Sequence, residues 1–174
     1  MVESGNFLFT FVFVNNLKLK LVQPIVGTYE CKIDTKGRVL IPAALKKQLA
    51  TIGEGFILKR SVYEKCVELW PMNEWNIMME KLNELNRFNR KADTFIRKFM
   101  AGVKVVDIDD AGRLQISKDL VEFANISKDV VFSSKINLIE IWDKDLYEQI
   151  VNDDDIDFGD LAEEVMGTMN NYGA

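Results

Sequence analysis

Two arginines, Arg38 and Arg113, stand in matched settings, DTKGR (34–38) and DDAGR (109–113), each between apolar runs. A guanidinium presents a planar fork of N–H donors that can grip a phosphate with two bonds or read the O6 and N7 edge of guanine. The glycine before each arginine, Gly37 or Gly112, permits a turn with positive φ and a close backbone approach. The aspartate four residues earlier, Asp34 or Asp109, repels phosphate, so its task is to accept hydrogen bonds from turn amides or to hold the arginine in place. Lys36 adds a cation to the first loop, whereas the second has Ala111 at that place and Asp110 where the first has Thr35. Residue chemistry alone leaves open a plainer reading, a well-made turn with a solvated arginine.

Other chemistries have less to work with. The chain has no histidine, which removes Ser-His and Cys-His nucleophilic catalysis and the commonest zinc ligand. Cys31 and Cys66 cannot complete a four-ligand metal site by themselves and read as reduced packing residues, so no metal and no cofactor is expected. Glu68 and Glu140 could serve as paired carboxylates in an enzyme. They occupy equivalent places before Trp70 and Trp142, however, and internal symmetry explains their repetition better than catalysis does.

The elements that must position the loops form a repeat. CKIDTKGRVLIPAAL (31–45) falls on VDIDDAGRLQISKDL (106–120) at a constant offset of 75, and CVELW (66–70) falls on LIEIW (138–142) at an offset of 72. In the first copy YECKI and RVLIP read as short strands flanking a hairpin turn, Pro42 opens the helical run AALKKQLA, and GFILKR and KCVELW form a closing strand pair. In the second, Ser117 can cap KDLVEFA, followed by DVVFSS and LIEIW. Between the copies, residues 73–100 place Trp75, Met78, Met79, Leu82, Leu85 and Phe88 at helical steps, with a polar break over residues 86–93. A unit this small and this rich in strands buries its own apolar face poorly, so the two copies should cover one another about a pseudo-twofold axis.

Charge is divided along the chain. The formal charge is −5, but the segment from Asp143 to Glu164 holds ten carboxylates against Lys144 alone, leaving everything else near +4. Between Gly27 and Arg60 seven basic residues face Glu30, Asp34 and Glu54. An excess of that kind can meet phosphates if folding gathers it on one face. The apolar run FLFTFVFV (7–14) is far shorter than the roughly 20 residues a membrane-spanning helix needs, and its flanks do not suit a signal peptide. No membrane partner is expected.

The organisation read from these patterns is an N-terminal arm over residues 1–24, disordered or the product of an upstream start; a first repeat over 25–72; connecting helices over 73–100; a second repeat with a final helix over 101–150; and an acidic tail over 151–174. The tail reads as solvated and disordered, although Ile156, Phe158 and Leu161 among its charges could dock on a basic partner.

Two copies of strand-D-x-x-G-R-strand, each followed by a short helix and a strand ending in Glu-hydrophobic-Trp, resemble the MraZ family of bacterial transcriptional regulators, and GTYECKIDTKGRVLIPAALKKQL is similar to its Bacteroidetes-like members. The resemblance covers about residues 25–150. It implies an α+β fold of two tandem AbrB/MazE-like swapped-hairpin β-barrel repeats forming a pseudo-twofold unit, with connecting helices. It implies a cytoplasmic, nucleoid-associated regulator, a repressor in this reading, that controls the division and cell wall gene cluster including its own gene. The partners implied are double-stranded promoter DNA carrying short direct repeats and further copies of the chain in a ring-shaped homo-oligomer. The family's DxxxR motif falls on Asp34 to Arg38 and on Asp109 to Arg113, which makes Lys36, Gly37, Arg38, Gly112 and Arg113 the DNA-binding candidates and Asp34 and Asp109 the loop-orienting ones. The rival reading is an antitoxin-like interaction module that works through the acidic tail.

The charge difference between the loops yields a first expectation. Arg38→Ala should abolish operator binding and Arg113→Ala should cost less, measured as affinity for a duplex from upstream of the gene; equal losses would overturn the asymmetry.

Overall fold

The computed structural model describes residues 24–53 and 55–169. The arm expected over residues 1–24 lies outside the described residues except for its last position, as does the end of the tail, residues 170–174.

The described residues form eight strands and six helices. The first copy supplies β1 (Thr28–Lys32), β2 (Arg38–Leu40), α1 (Ala43–Ile52), β3 (Phe56–Arg60) and β4 (Val67–Pro71), then α2 (Met72–Asn83) and α3 (Arg90–Phe99). The second supplies β5 (Lys104–Val106), β6 (Arg113–Gln115), α4 (Lys118–Phe123), β7 (Asp129–Lys135) and β8 (Leu138–Asp143), then α5 (Lys144–Val151) and α6 (Phe158–Met169). Prolines 42 and 71 stand immediately before α1 and α2 with φ of −56° and −57°, values their rings impose and a helix start accepts. Asn89 caps α3 by accepting from the backbone N–H groups of Lys91 and Ala92, which accounts for the break between α2 and α3. Ser117 does stand at the start of α4, but its hydroxyl makes no capping bond.

The main sheet is antiparallel, in the order β1-β7-β8-β4-β3-β5, and β2 pairs with β6 in a separate two-stranded ribbon. Only β3–β4 and β7–β8 pair within one copy. β1 of the first copy lies on β7 of the second, and β5 of the second lies on β3 of the first. The hairpin expected around each glycine turn is therefore reduced to a single bridge, Ile33↔Val39 or Ile108↔Leu114. The flanking strands find their ladders in the other copy instead, because β2 and β6 are only three residues long and complete their pairing across the axis.

Both faces of the sheet are covered. On one, Leu58, Val67, Leu69, Phe132 and Ile141 meet Val39 and Leu114 from the ribbon and Leu45 and Leu120 from α1 and α4. On the other, Ile57, Trp70 and Leu138 pack under α2 and α3 through Trp75 and Phe99, while Val131, Cys66 and Trp142 pack under α5 through Leu146 and Tyr147. This is why β4 and β8 are buried at every position. Of the apolar face expected on residues 73–88, Trp75 to Leu82 is used in this way; Leu85 and Phe88 are exposed.

Two carboxylates sit inside this apolar sandwich. Glu68 and Glu140 are direct partners across β4 and β8, at the axis. Glu68 accepts from Lys59 Nζ at 2.9 Å and from Trp70 Nε1 at 2.9 Å; Glu140 accepts from Lys135 Nζ at 2.7 Å and from Trp142 Nε1 at 3.2 Å. Lys59 has no exposed surface and its ammonium lies 4.5 Å from the centre of the Phe99 ring. A buried charge left without its partner is strongly destabilising. Lys59→Ala is expected to cost about 3–5 kcal/mol in urea unfolding, and Lys135→Ala much less, because the Lys135 side chain is 59% exposed and water can replace it. Equal costs would show that Lys59 is not enclosed as described.

Candidate nucleic-acid interface

The two DxxGR loops have nearly the same internal geometry. In the first, the Arg38 N–H donates to Asp34 Oδ1 at 2.9 Å, the Lys36 N–H donates to the same oxygen at 2.9 Å, and Arg38 Nε donates to Asp34 Oδ2 at 2.8 Å. In the second, the Arg113 N–H donates to Asp109 Oδ1 at 2.8 Å and Arg113 Nε donates to Asp109 Oδ2 at 2.9 Å. Each aspartate thus binds the turn and the arginine at once. One edge of each guanidinium is occupied, and the other edge keeps free donors for a ligand.

These bonds hold the carboxylates ionised. The Arg38 backbone N–H, then its guanidinium, draw the Asp34 pKa from the ordinary 3.8 down to about 2, and the Arg113 backbone N–H is the largest cause lowering that of Asp109. Gly37 and Gly112 both have φ of +79°. At Gly37 a Cβ would also fall 2.5 Å from the Ile116 carbonyl oxygen, so only glycine suits that turn.

The strand exchange decides where the loops go. Along the ribbon Arg38 is opposite Gln115 and Leu40 is opposite Arg113, with Val39 and Leu114 buried between them. Side chains alternate across a strand, so Arg38, Leu40, Arg113 and Gln115 share the outward face. The two arginines are diagonal neighbours, a relation that sets residues about 7–8 Å apart, within reach of long side chains. Their side chains are 33% and 40% exposed. Of the other candidates, Lys36 is exposed, Gly37 is half-buried and Gly112 is buried.

Each loop is also bordered by the helix of the other copy. Lys46 of α1 reaches over the second loop, where its ammonium lies 3.3 Å from the point a Gly112 Cβ would occupy, and Lys46, Ala111 and Gly112 line one recess. Lys118 of α4 lines a recess with Thr35, Lys36 and Gly37 of the first loop. The Gln115 side chain donates to the Lys36 carbonyl at 2.7 Å. Lys46, Lys118, Gln115 and the exposed Leu40 escaped the loop motif. Alternation along RVL could have turned Leu40 outward, but nothing in the spacing brings Lys46 beside a loop 65 residues away.

Other chemistry has little support in the geometry. Among the described residues no group of three or more His, Cys, Asp or Glu could hold a metal ion, and no helix is long and apolar enough to cross a membrane. Cys31 and Cys66 are free thiols, pushed by burial up to about 11 and about 12.

A family model described as "MraZ protein, putative antitoxin-like" matches the chain twice in succession, over residues 25–98 and 99–168. Proteins named transcriptional regulator MraZ are similar over nearly their whole length. One from Flavobacterium psychrophilum is 60% identical over 86% of this chain and 97% of its own. One from Christiangramia forsetii is 59% identical over 82% and 93%, and one from Phocaeicola vulgatus 40% identical over 84% and 96%. These relatives carry the name of a regulator, not of an enzyme, which disposes of the reading that made Glu68 and Glu140 catalytic. With two tandem matches, and with relatives this similar over most of its length, the chain belongs to the MraZ family of transcriptional regulators.

Proposed function

We propose that this protein is a sequence-specific DNA-binding repressor of the division and cell wall gene cluster, its own gene included, working in the cytoplasm at the nucleoid. In this reading the exchanged strands are the AbrB/MazE-like swapped-hairpin barrel. The observation that carries the reading is the ribbon face, on which two arginines, each held by its own aspartate, stand side by side and point outward. A two-stranded ribbon fits the major groove of DNA, where arginine reads guanine and an apolar side chain such as Leu40 meets a thymine methyl. Lys36 and Lys118 beside the first loop, and Lys46 beside the second, take phosphates.

Holding an arginine by a carboxylate has a cost in net charge and a gain in order. The first loop with Lys118 sums to +2 (Lys36, Arg38 and Lys118 against Asp34), and the second with Lys46 sums to zero (Arg113 and Lys46 against Asp109 and Asp110). The first should hold phosphate more strongly, because each helix lysine adds one charge to the loop it borders and leaves the difference between the loops as it was. A single copy with so few contacts would bind only weakly at physiological salt. A ring of copies facing short direct repeats raises the effective concentration of each next ribbon and turns weak contacts into avidity.

Titration of purified protein with a fluorescent duplex from upstream of its gene, beside a scrambled duplex, tests the reading. Selective binding should steepen with repeat number and vanish in Arg38→Ala; Arg113→Ala should retain part of it, and Arg113→Ala combined with Lys46→Ala less. Lys46→Ala alone should weaken both duplexes alike and reduce the salt slope by about 1. Equal, weak binding to both duplexes, indifferent to Arg38→Ala, would sink the proposal.

A second expectation concerns pH. The Asp34 pKa is lowered on folding, so its contribution to the loop is complete above the ordinary carboxylate value and is lost only as pH falls towards about 2. The Asp34 carboxyl carbon should titrate in that low range by NMR. Arg38→Ala should raise the midpoint only part of the way to 3.8, because the backbone N–H of residue 38 remains; a full return would show that the guanidinium alone held it.

A further inference from the structure

The copies depart from each other in two places. The tail that follows the second copy, expected to be disordered, is helical over Phe158–Met169. The other departure lies on the ribbon face itself. R-V-L of β2 and R-L-Q of β6 are counterparts, so Leu40 in the first copy corresponds to Gln115 in the second. Because the strands run antiparallel, each arginine faces the third residue of the other strand: Arg38 is opposite Gln115, and Arg113 is opposite Leu40. The outward face therefore has an Arg–Gln end and an Arg–Leu end.

Gln115 is held in one orientation. Its Nε2 donates to the Lys36 carbonyl at 2.7 Å and to the Ile116 carbonyl at 3.1 Å. Both partners can only accept, so turning the amide over would lose both bonds, and both amide hydrogens are in use. Gln115 is exposed, and among the described residues its Oε1 accepts no hydrogen bond. The Ile116 N–H donates to the Gly37 carbonyl at 2.8 Å, so two successive carbonyls of the first loop are tied to the opposite strand. On the second loop the Ile41 N–H donates to the Gly112 carbonyl at 2.9 Å, and the Leu40 side chain has no donor to add.

A glutamine with both ends of its amide free grips adenine by donating to N7 and accepting from N6. Gln115 has no donor left for that grip. It can only accept, and the donors that bases display in the major groove are the N4 amino group of cytosine and the N6 amino group of adenine. We propose that Gln115 is a specificity-determining residue whose Oε1 accepts from the amino group of a cytosine or adenine beside the guanine that Arg38 reads. The inference rests on the DNA-binding reading above and narrows its target. With Leu40 at the other end meeting a thymine methyl, the two ends of the ribbon ask for different bases, and the site they fit is not a palindrome.

The test sets one side chain against one functional group of the DNA. In a duplex from upstream of the gene, each cytosine in turn is replaced by 2-pyrimidinone and each adenine by 2-aminopurine, changes that delete the amino group from the major groove. Fluorescence anisotropy at one fixed salt compares the wild type with Gln115→Leu, which copies the Leu40 end, and with Gln115→Ala; circular dichroism checks that both variants fold. One replacement should weaken the wild type about tenfold and leave both variants indifferent, and its identity tells cytosine from adenine. If every replacement affects wild type and variants by the same factor, the two groups are not coupled and the proposal falls. It falls even where the variants bind less tightly, since untying the Lys36 carbonyl lowers affinity for all the duplexes alike. A wild type that does not prefer the unmodified duplex to a scrambled one would sink the DNA-binding reading, and this inference with it.

Discussion

Neither copy of the repeat can complete its own sheet, and the rest of the molecule depends on that. β1 and β5 leave their own copies to pair on β7 and β3, and β2 and β6 have only each other. The apolar side chains on one sheet face are covered by a ribbon and two helices drawn from both copies, so the core is shared and neither half has one of its own. In energetic terms the two copies should fold as one cooperative unit, because separating them would expose both the ribbon residues Val39 and Leu114 and the strand edges they protect.

The same exchange makes one outward face out of two turns. If each turn closed a hairpin on itself, the arginines would stand on separate hairpins. Pairing β2 with β6 across the axis sets Arg38 and Arg113 on one outward face and brings α1 and α4 alongside the opposite loop. Asp34 and Asp109 then fix the guanidinium planes through bonds that also tie the turns. Order of this kind lowers the entropic cost of binding a ligand while giving up net charge.

Symmetry is kept in the core and broken at the surface. Glu68 and Glu140 with their tryptophans remain in register at the axis, where a shift would bury an unpaired carboxylate. Away from the axis the copies diverge: Lys36 against Ala111, Lys46 against Val121, and α3 folded home against α6 left uncovered. Divergence costs little in stability where side chains meet water, and it gives the two ends of the molecule different surfaces.

Much of this was legible in the residues. Repetition of D-x-x-G-R with matched flanks marked the twin loops and the two glycine turns, since these depend on local spacing and on which residues tolerate positive φ; it left open whether each aspartate serves the turn amides or the arginine, and the structure has it do both. Helical steps from Trp75 onward marked α2, and the polar stretch over residues 86–93 marked a break that the structure places between Asn83 and Arg90. What the sequence could not carry is which strand pairs with which. Three-residue strands such as RVL and RLQ satisfy their hydrogen bonds equally well within a hairpin or across an axis, and only burial of the whole apolar face selects the exchange. The place of Lys46 and Lys118 beside the loops and the shared face of Arg38 and Arg113 follow from that selection. Local chemistry determined the loops, and long-range packing decided what they face.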